Sequence, residues 1–147
     1  YILDVNEDKQ SIIDLASKEL GFAPFKVNLK PKEQMHSLED KIYPTVTAWL
    51  KGFDNAEYVI TDSFHGCVFA IVFNKPFIAY GNKARGMARF NSLLKMFGLE
   101  GRLVVSKEEI TIAKIKQEID WDSVNSKLTE YRNISNNYLL ETLKAKS

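Results

Sequence analysis

Apolar and polar positions along this chain follow two alternating periods. Short runs rich in consecutive apolar residues occur at Tyr1–Val5, Phe25–Leu29, Tyr58–Thr61, Phe77–Tyr80 and Leu103–Val105, and they have the length and content of buried strands. Between them lie stretches with helical spacing. Ile12, Ile13, Leu15, Ala16 and Leu20 form one stripe on a helix over about Lys9–Leu20, with Asp8 as its expected cap and Gly21 as its stop. Pro44 suits the first turn of a helix over Pro44–Phe53 that turns Trp49, Leu50 and Phe53 inward. Gly66–Phe73 is apolar nearly all round, as a helix buried between layers is, and Asn74-Lys75-Pro76 breaks it. A helix over Met87–Phe97 ends at Gly98. Ser106 with Glu109 resembles a capping box ahead of a helix near Lys107–Glu118, and Asp122 or Ser123 is the expected cap of a last helix running to about Lys144.

The resulting order is β-α-β-α-β-α-β-α-β-α-α. Strands alternating with helices predict an α/β fold, a doubly wound parallel sheet of about five strands with helices on both faces. One domain is the natural reading of 147 residues. A composition of 45% hydrophobic and 27% charged residues is that of a globular chain. No apolar run approaches the roughly 20 residues that a membrane span needs. The chain opens on a strand-like segment without Met, as a fragment or processed form would, and shows no leader pattern. The single Cys67 excludes an internal disulfide and fits a reducing, cytoplasmic setting.

A net charge of +1 argues against a nucleic-acid partner. The charge is unevenly spread, however. Lys75, Lys83, Arg85, Arg89, Lys95 and Arg102 face only Glu100 in the stretch 75–102, so positive potential is expected downstream of residue 65 and an anionic small ligand is the preferred partner.

The most informative stretch is Val59-Ile60-Thr61-Asp62-Ser63-Phe64-His65-Gly66-Cys67. A strand there runs straight into a helix, and in open α/β sheets ligands bind at such carboxyl ends. The new helix offers unpaired N–H groups to an anion. His65 is then a candidate general acid or base, Ser63 and the turn amides would hold the anion, and Asp62 would orient a neighbour. The alternative makes Ser63 a helix cap, Asp62 a turn residue and His65 a satisfied histidine. Arg85 and Arg89, four apart, can share a helix face and grip phosphate or carboxylate; they can equally be two solvated arginines. Gly81 and Gly86 permit close backbone approach. His36 reads as an exposed loop residue. Trp49, Phe53, Tyr58, Phe69, Phe73, Phe77, Phe90 and Phe97 read as core. Two histidines and one cysteine without ligand spacing give no metal set, and no cofactor is expected.

At these residues the chain resembles the polysaccharide pyruvyl transferase family. The likeness lies in Tyr58-Val59-Ile60-Thr61-Asp62-Ser63-Phe64-His65-Gly66, in Asn74-Lys75-Pro76-Phe77, in Arg85-Gly86-Met87-Ala88-Arg89-Phe90, in Leu93-Leu94 and in Phe97-Gly98-Leu99. It is strongest over Tyr58–Val105. The resemblance implies a two-domain architecture of the GT-B type, with this chain as the C-terminal, Rossmann-like, donor-binding half. It also implies transfer of the enolpyruvyl group of phosphoenolpyruvate to a glycan, or a nucleotide- or lipid-linked sugar, as a ketal in bacterial surface-polysaccharide or exopolysaccharide synthesis. An N-terminal half supplying a catalytic carboxylate and part of the acceptor site would be the missing partner, and the isolated chain would be inactive. His65 takes the place of the family histidine, a general acid; Asp62, Ser63, Gly66, Arg85 and Arg89 would bind the donor. One departure falls at Ser63, where many members carry Arg. Two other readings stand beside this one: the nucleotide-sugar half of a GT-B glycosyltransferase, and a non-catalytic binding module.

Overall fold

The computed structural model describes residues 6–27, 44–82 and 86–144. Three parallel strands form the sheet, in the order β1 (Val59–Thr61), β2 (Phe77–Tyr80), β3 (Leu103–Val104). Val59 lies opposite Phe77 and Thr61 opposite Ala79, while Ala79 and Tyr80 pair with Leu103 and Val104. Alternate side chains therefore go to opposite faces. Val59, Phe77 and Ala79 join Cys67, Ala70 and Ile71 of α3 (Phe64–Val72), Phe90, Leu94 and Phe97 of α4 (Met87–Phe97), and Val124 of α6 (Trp121–Lys144). Ile78, Tyr80 and Val104 meet Ile12 of α1 (Glu7–Leu20) on the other face, with Ile60 and Ile110 alongside. Helices thus cover both faces, as expected of a doubly wound sheet. Phe77, Ile71 and Leu94 are almost wholly buried, each stabilising the fold by about 1.5–3 kcal/mol of transfer free energy.

Three of the five expected strands are present among the described residues. Tyr1–Val5 lies outside them, and the described part of Phe25–Leu29, residues 25–27, takes no strand conformation. Several helix ends also differ from expectation. Asn6, rather than Asp8, caps α1 by accepting the Lys9 amide at 2.9 Å. Thr45 caps α2 (Val46–Asn55), leaving Pro44 outside the helix. The expected helix over 107–118 is two pieces, a single tight turn at Lys107–Glu109 and then α5 (Ile112–Lys116), capped by Thr111. Ser106 makes no cap bond, although the Glu109 carboxylate does reach back to the Val105 amide at 3.0 Å. Asp120 caps α6 through the Ser123 amide at 3.0 Å, so neither Asp122 nor Ser123 does so. Gly21 and Gly98 terminate α1 and α4 in the left-handed conformation, as read from the sequence.

Trp49 and Phe53 of α2 pack edge-on, with ring centroids 4.8 Å apart, and Trp49 meets Phe69 in the same way at 5.0 Å. The expected aromatic residues are core. The first half of α6 packs through Val124, Leu128 and Tyr131, whereas every described residue from 132 onward is exposed. No described helix is long and apolar enough to cross a membrane.

Candidate functional site

The carboxyl ends of β1, β2 and β3 open into one cleft of about 940 Å³. Asn6 and Lys9 reach it from α1. Asp62, Ser63, Phe64 and His65 come from the β1–α3 turn, Tyr80, Gly81 and Asn82 follow β2, Gly86, Arg89 and Phe90 belong to the start of α4, and Val105 follows β3. The position matches the general rule for open parallel sheets.

The β1–α3 turn is held tightly. The Ser63 amide donates to Thr61 Oγ1 at 3.1 Å, and the Gly66 amide donates to Ser63 Oγ at 3.4 Å. Ser63 is therefore the N-cap of α3. Gly66 has no room for a side chain, because a Cβ there would collide with Thr61 Oγ1. This absent methyl lets α3 lie directly on the end of β1. Asp62 turns inward to an ion pair with Lys9, Nζ to Oδ2 at 2.6 Å, and both side chains are only 8% exposed. His65 is exposed at the cleft, its ring edge-on to Phe64. The Arg89 guanidinium lies over the Phe64 ring, 5.6 Å from its centroid. Asp62, Ser63, His65 and Arg89 thus share one cleft, as the sequence suggested, and Gly66 supports it from beneath.

Arg85, Lys83 and His36 lie outside the described residues, so the pairing of Arg85 with Arg89 on one helix face is not seen; α4 begins at Met87. Among the described residues, part of the expected concentration of positive charge is dispersed by the fold. Lys75 donates to the Asp54 carbonyl at 2.8 Å, away from the cleft. Arg102 is buried, its guanidinium donating to the carbonyls of Lys114, Gln117 and Glu118 at the end of α5. Burial lowers the Arg102 pKa, and it pushes the adjacent Tyr58 phenol up to about 12. Among the described basic residues of the stretch 75–102, Arg89 is the one whose charge lines the cleft.

Two titratable residues of the cleft, Lys9 and Tyr80, are not singled out by the sequence pattern. Lys9 lies at helical spacing with Ile12, Ile13 and Ala16 on the inward face of α1, and a lysine on such a face was the available signal. Its ammonium sits 5.4 Å from the Tyr80 ring centroid. Tyr80 itself was read only as strand. Its phenol is raised, first by burial and then by the Asp8 carboxylate 3.5 Å away, so it is a neutral hydrogen-bonding group at pH 7. Cys67, fully buried behind the turn, has its thiol pushed up to about 12 by burial and is no nucleophile.

Fold and cleft together define an α/β protein that gathers an exposed imidazole, an arginine and a buried lysine–aspartate pair at the carboxyl ends of its parallel strands. A family model for polysaccharide pyruvyl transferase matches residues 4–84. The chain belongs to that family. The match takes in α1 with Lys9 and the whole β1–α3 turn, and it stops short of Arg85 and Arg89. No curated protein and no solved structure matches the chain.

Proposed function

We propose that this chain is the C-terminal, donor-binding half of a cytoplasmic pyruvyl transferase that carries enolpyruvate from phosphoenolpyruvate to a sugar as a ketal. The observation that carries the reading is His65, exposed at the head of α3 inside a cleft that Arg89 also lines, in a chain of this family. His65 gives its proton to the methylene carbon of the donor, which becomes a methyl group. Cationic character then develops at the neighbouring carbon, and a sugar hydroxyl adds there. The carbon–oxygen bond to phosphate breaks, a second hydroxyl closes the ketal, and the two hydroxyl protons balance the methyl proton and the released hydrogen phosphate. Arg89 and the first-turn amides of α3 oppose the charge of the departing phosphate, and Arg85 is assigned the same task from the sequence. The acceptor, a glycan or a carrier-linked sugar of a surface polysaccharide, approaches from the N-terminal half.

The test uses protein carrying both halves. Given phosphoenolpyruvate and a glycan acceptor it releases inorganic phosphate, and His65→Ala lowers that rate by roughly 10²–10⁴-fold, the range for loss of a general acid. Full activity of His65→Ala would overturn the assignment. Protection from thermal unfolding by a nucleotide sugar, with none by phosphoenolpyruvate, would favour a glycosyltransferase instead.

A further inference from the structure

A buried carboxylate is an unwelcome neighbour for an anion. Asp62 nevertheless lines the cleft at the head of α3, with its side chain 8% exposed. The Lys9 ammonium, 2.6 Å from Asp62 Oδ2 and equally enclosed, comes from a helix 53 residues earlier in the chain. The nearby side chains on the other cleft elements are His65 and Arg89, both exposed, and the Tyr80 phenol beneath Lys9. Building a buried lysine into α1 opposite a buried aspartate is costly in desolvation, and such a pair needs a reason beyond stability.

We propose that Lys9 is a positioning residue of the donor site: it neutralises and holds Asp62, so that the head of α3 and Arg89 present net positive charge to the anionic donor. The inference rests on reading this cleft as the donor site. It has a distinctive signature, because removing either member of the pair shifts the charge of the cleft in opposite directions. Two unit charges about 12 Å apart at an effective dielectric constant near 20 interact strongly enough to change affinity by about tenfold.

The experiment titrates phosphoenolpyruvate, and inorganic phosphate separately, into protein carrying both halves at pH 8 into the millimolar range, following amide chemical shifts. Folding of each variant is checked by spectral dispersion at the temperature of titration. Lys9→Met is expected to weaken binding about tenfold. Asp62→Asn is expected to tighten it several-fold, reading the same balance from the other side should Lys9→Met fold poorly. The double variant, neutral at both positions, returns to within about threefold of the parent chain. Unchanged affinity in Lys9→Met would overturn the inference. So would a double variant as weak as Lys9→Met, which would mean that Lys9 grips the anion directly, and so would weakened binding in Asp62→Asn. Binding of neither anion by the parent protein carrying both halves would overturn the donor-site reading itself and this inference with it, whereas the other failures leave that reading standing.

Discussion

Replacing Gly66 by Ala tests whether close contact between α3 and β1 shapes the site. The new Cβ points at Thr61, whose Cβ lies 2.9 Å from it, whose Cγ2 lies 3.1 Å away, and whose Oγ1 is closer still. Thr61 is fully buried in β1 and paired with Ala79, so it has no room to withdraw. Overpacking of this kind costs about 1–3 kcal/mol. Displacing Thr61 Oγ1 also removes the acceptor for the Ser63 amide, worth about 1 kcal/mol. Against this, alanine favours helix over glycine by about 1 kcal/mol. The balance is a destabilisation of about 2 kcal/mol, or a fall in Tm of roughly 4–8 °C for a chain of this size.

Calorimetry of the parent chain, Gly66→Ala, Thr61→Ala and the double variant checks the reasoning as a cycle. Thr61→Ala removes Oγ1 and Cγ2 from the path of the new methyl, so the double variant should be more stable than the sum of the two single losses by about 1 kcal/mol. If Gly66→Ala melts at or above the parent temperature, helix propensity alone governs the position and the packing argument is wrong. Simple additivity in the double variant would refute it equally.

The buried thiol and phenol predict how stability depends on alkaline pH. Cys67 and Tyr58 are each pushed up to about 12 by burial, from ordinary values of 9.0 and 10.0. A raised folded-state pKa gives stability that is complete below the unfolded value and lost as pH climbs toward the folded one. Unfolding free energies from urea titrations should therefore hold to pH 9, decline by up to about 1.4 kcal/mol per pH unit to pH 10 through Cys67, and decline faster above pH 10 as Tyr58 joins. Cys67→Ala should flatten the first segment, and a level profile from pH 9 to 11 would contradict the assignment. On α6, Val124→Asp places an unpaired carboxylate at a site 2% exposed and should unfold the chain, because such burial costs several kcal/mol. Leu140→Asp, at a site 55% exposed, should change stability by less than about 0.5 kcal/mol; a thermal melt in which the two behave alike would show that the outer half of the helix is covered in solution.

The central strands were legible because they are unbroken apolar runs bounded by turn residues, and Gly21 and Gly98 were legible because a left-handed stop favours glycine. Caps were harder to place. Asn6 and Asp8, Pro44 and Thr45, or Asp120, Asp122 and Ser123 are near neighbours of similar chemistry, and only the backbone direction at the first turn decides among them. The single helix expected over 107–118 fails because Thr111 takes an extended conformation and begins a new one. Arg102 counted toward a basic patch in one dimension, but the carbonyls at the end of α5 draw it inward. Lys9 stands out in the sequence only as a lysine on an apolar helix face, because its partner Asp62 becomes its neighbour only when α1 closes over the sheet. Long-range polar pairs of this sort leave almost no trace in local periodicity.

In the proposed mechanism His65 is the proton donor, and the β1–α3 turn sets it apart from its neighbours. Thr61 Oγ1 is committed to the Ser63 amide, Asp62 to Lys9, Ser63 Oγ to the Gly66 amide, and the Gly66 α-carbon to Thr61. Phe64 is sandwiched, with Phe90 edge-on at 6.4 Å and the Arg89 guanidinium over its ring. Each of these contacts restrains the backbone on either side of His65, whose own side chain is the exposed one of the turn. An imidazole on a mobile loop would spend most of its time out of register with a carbon atom that must receive a proton. Here the helix cap, the glycine and the buried ion pair fix its Cα before any ligand arrives, the condition that proton transfer imposes on it in the proposed mechanism.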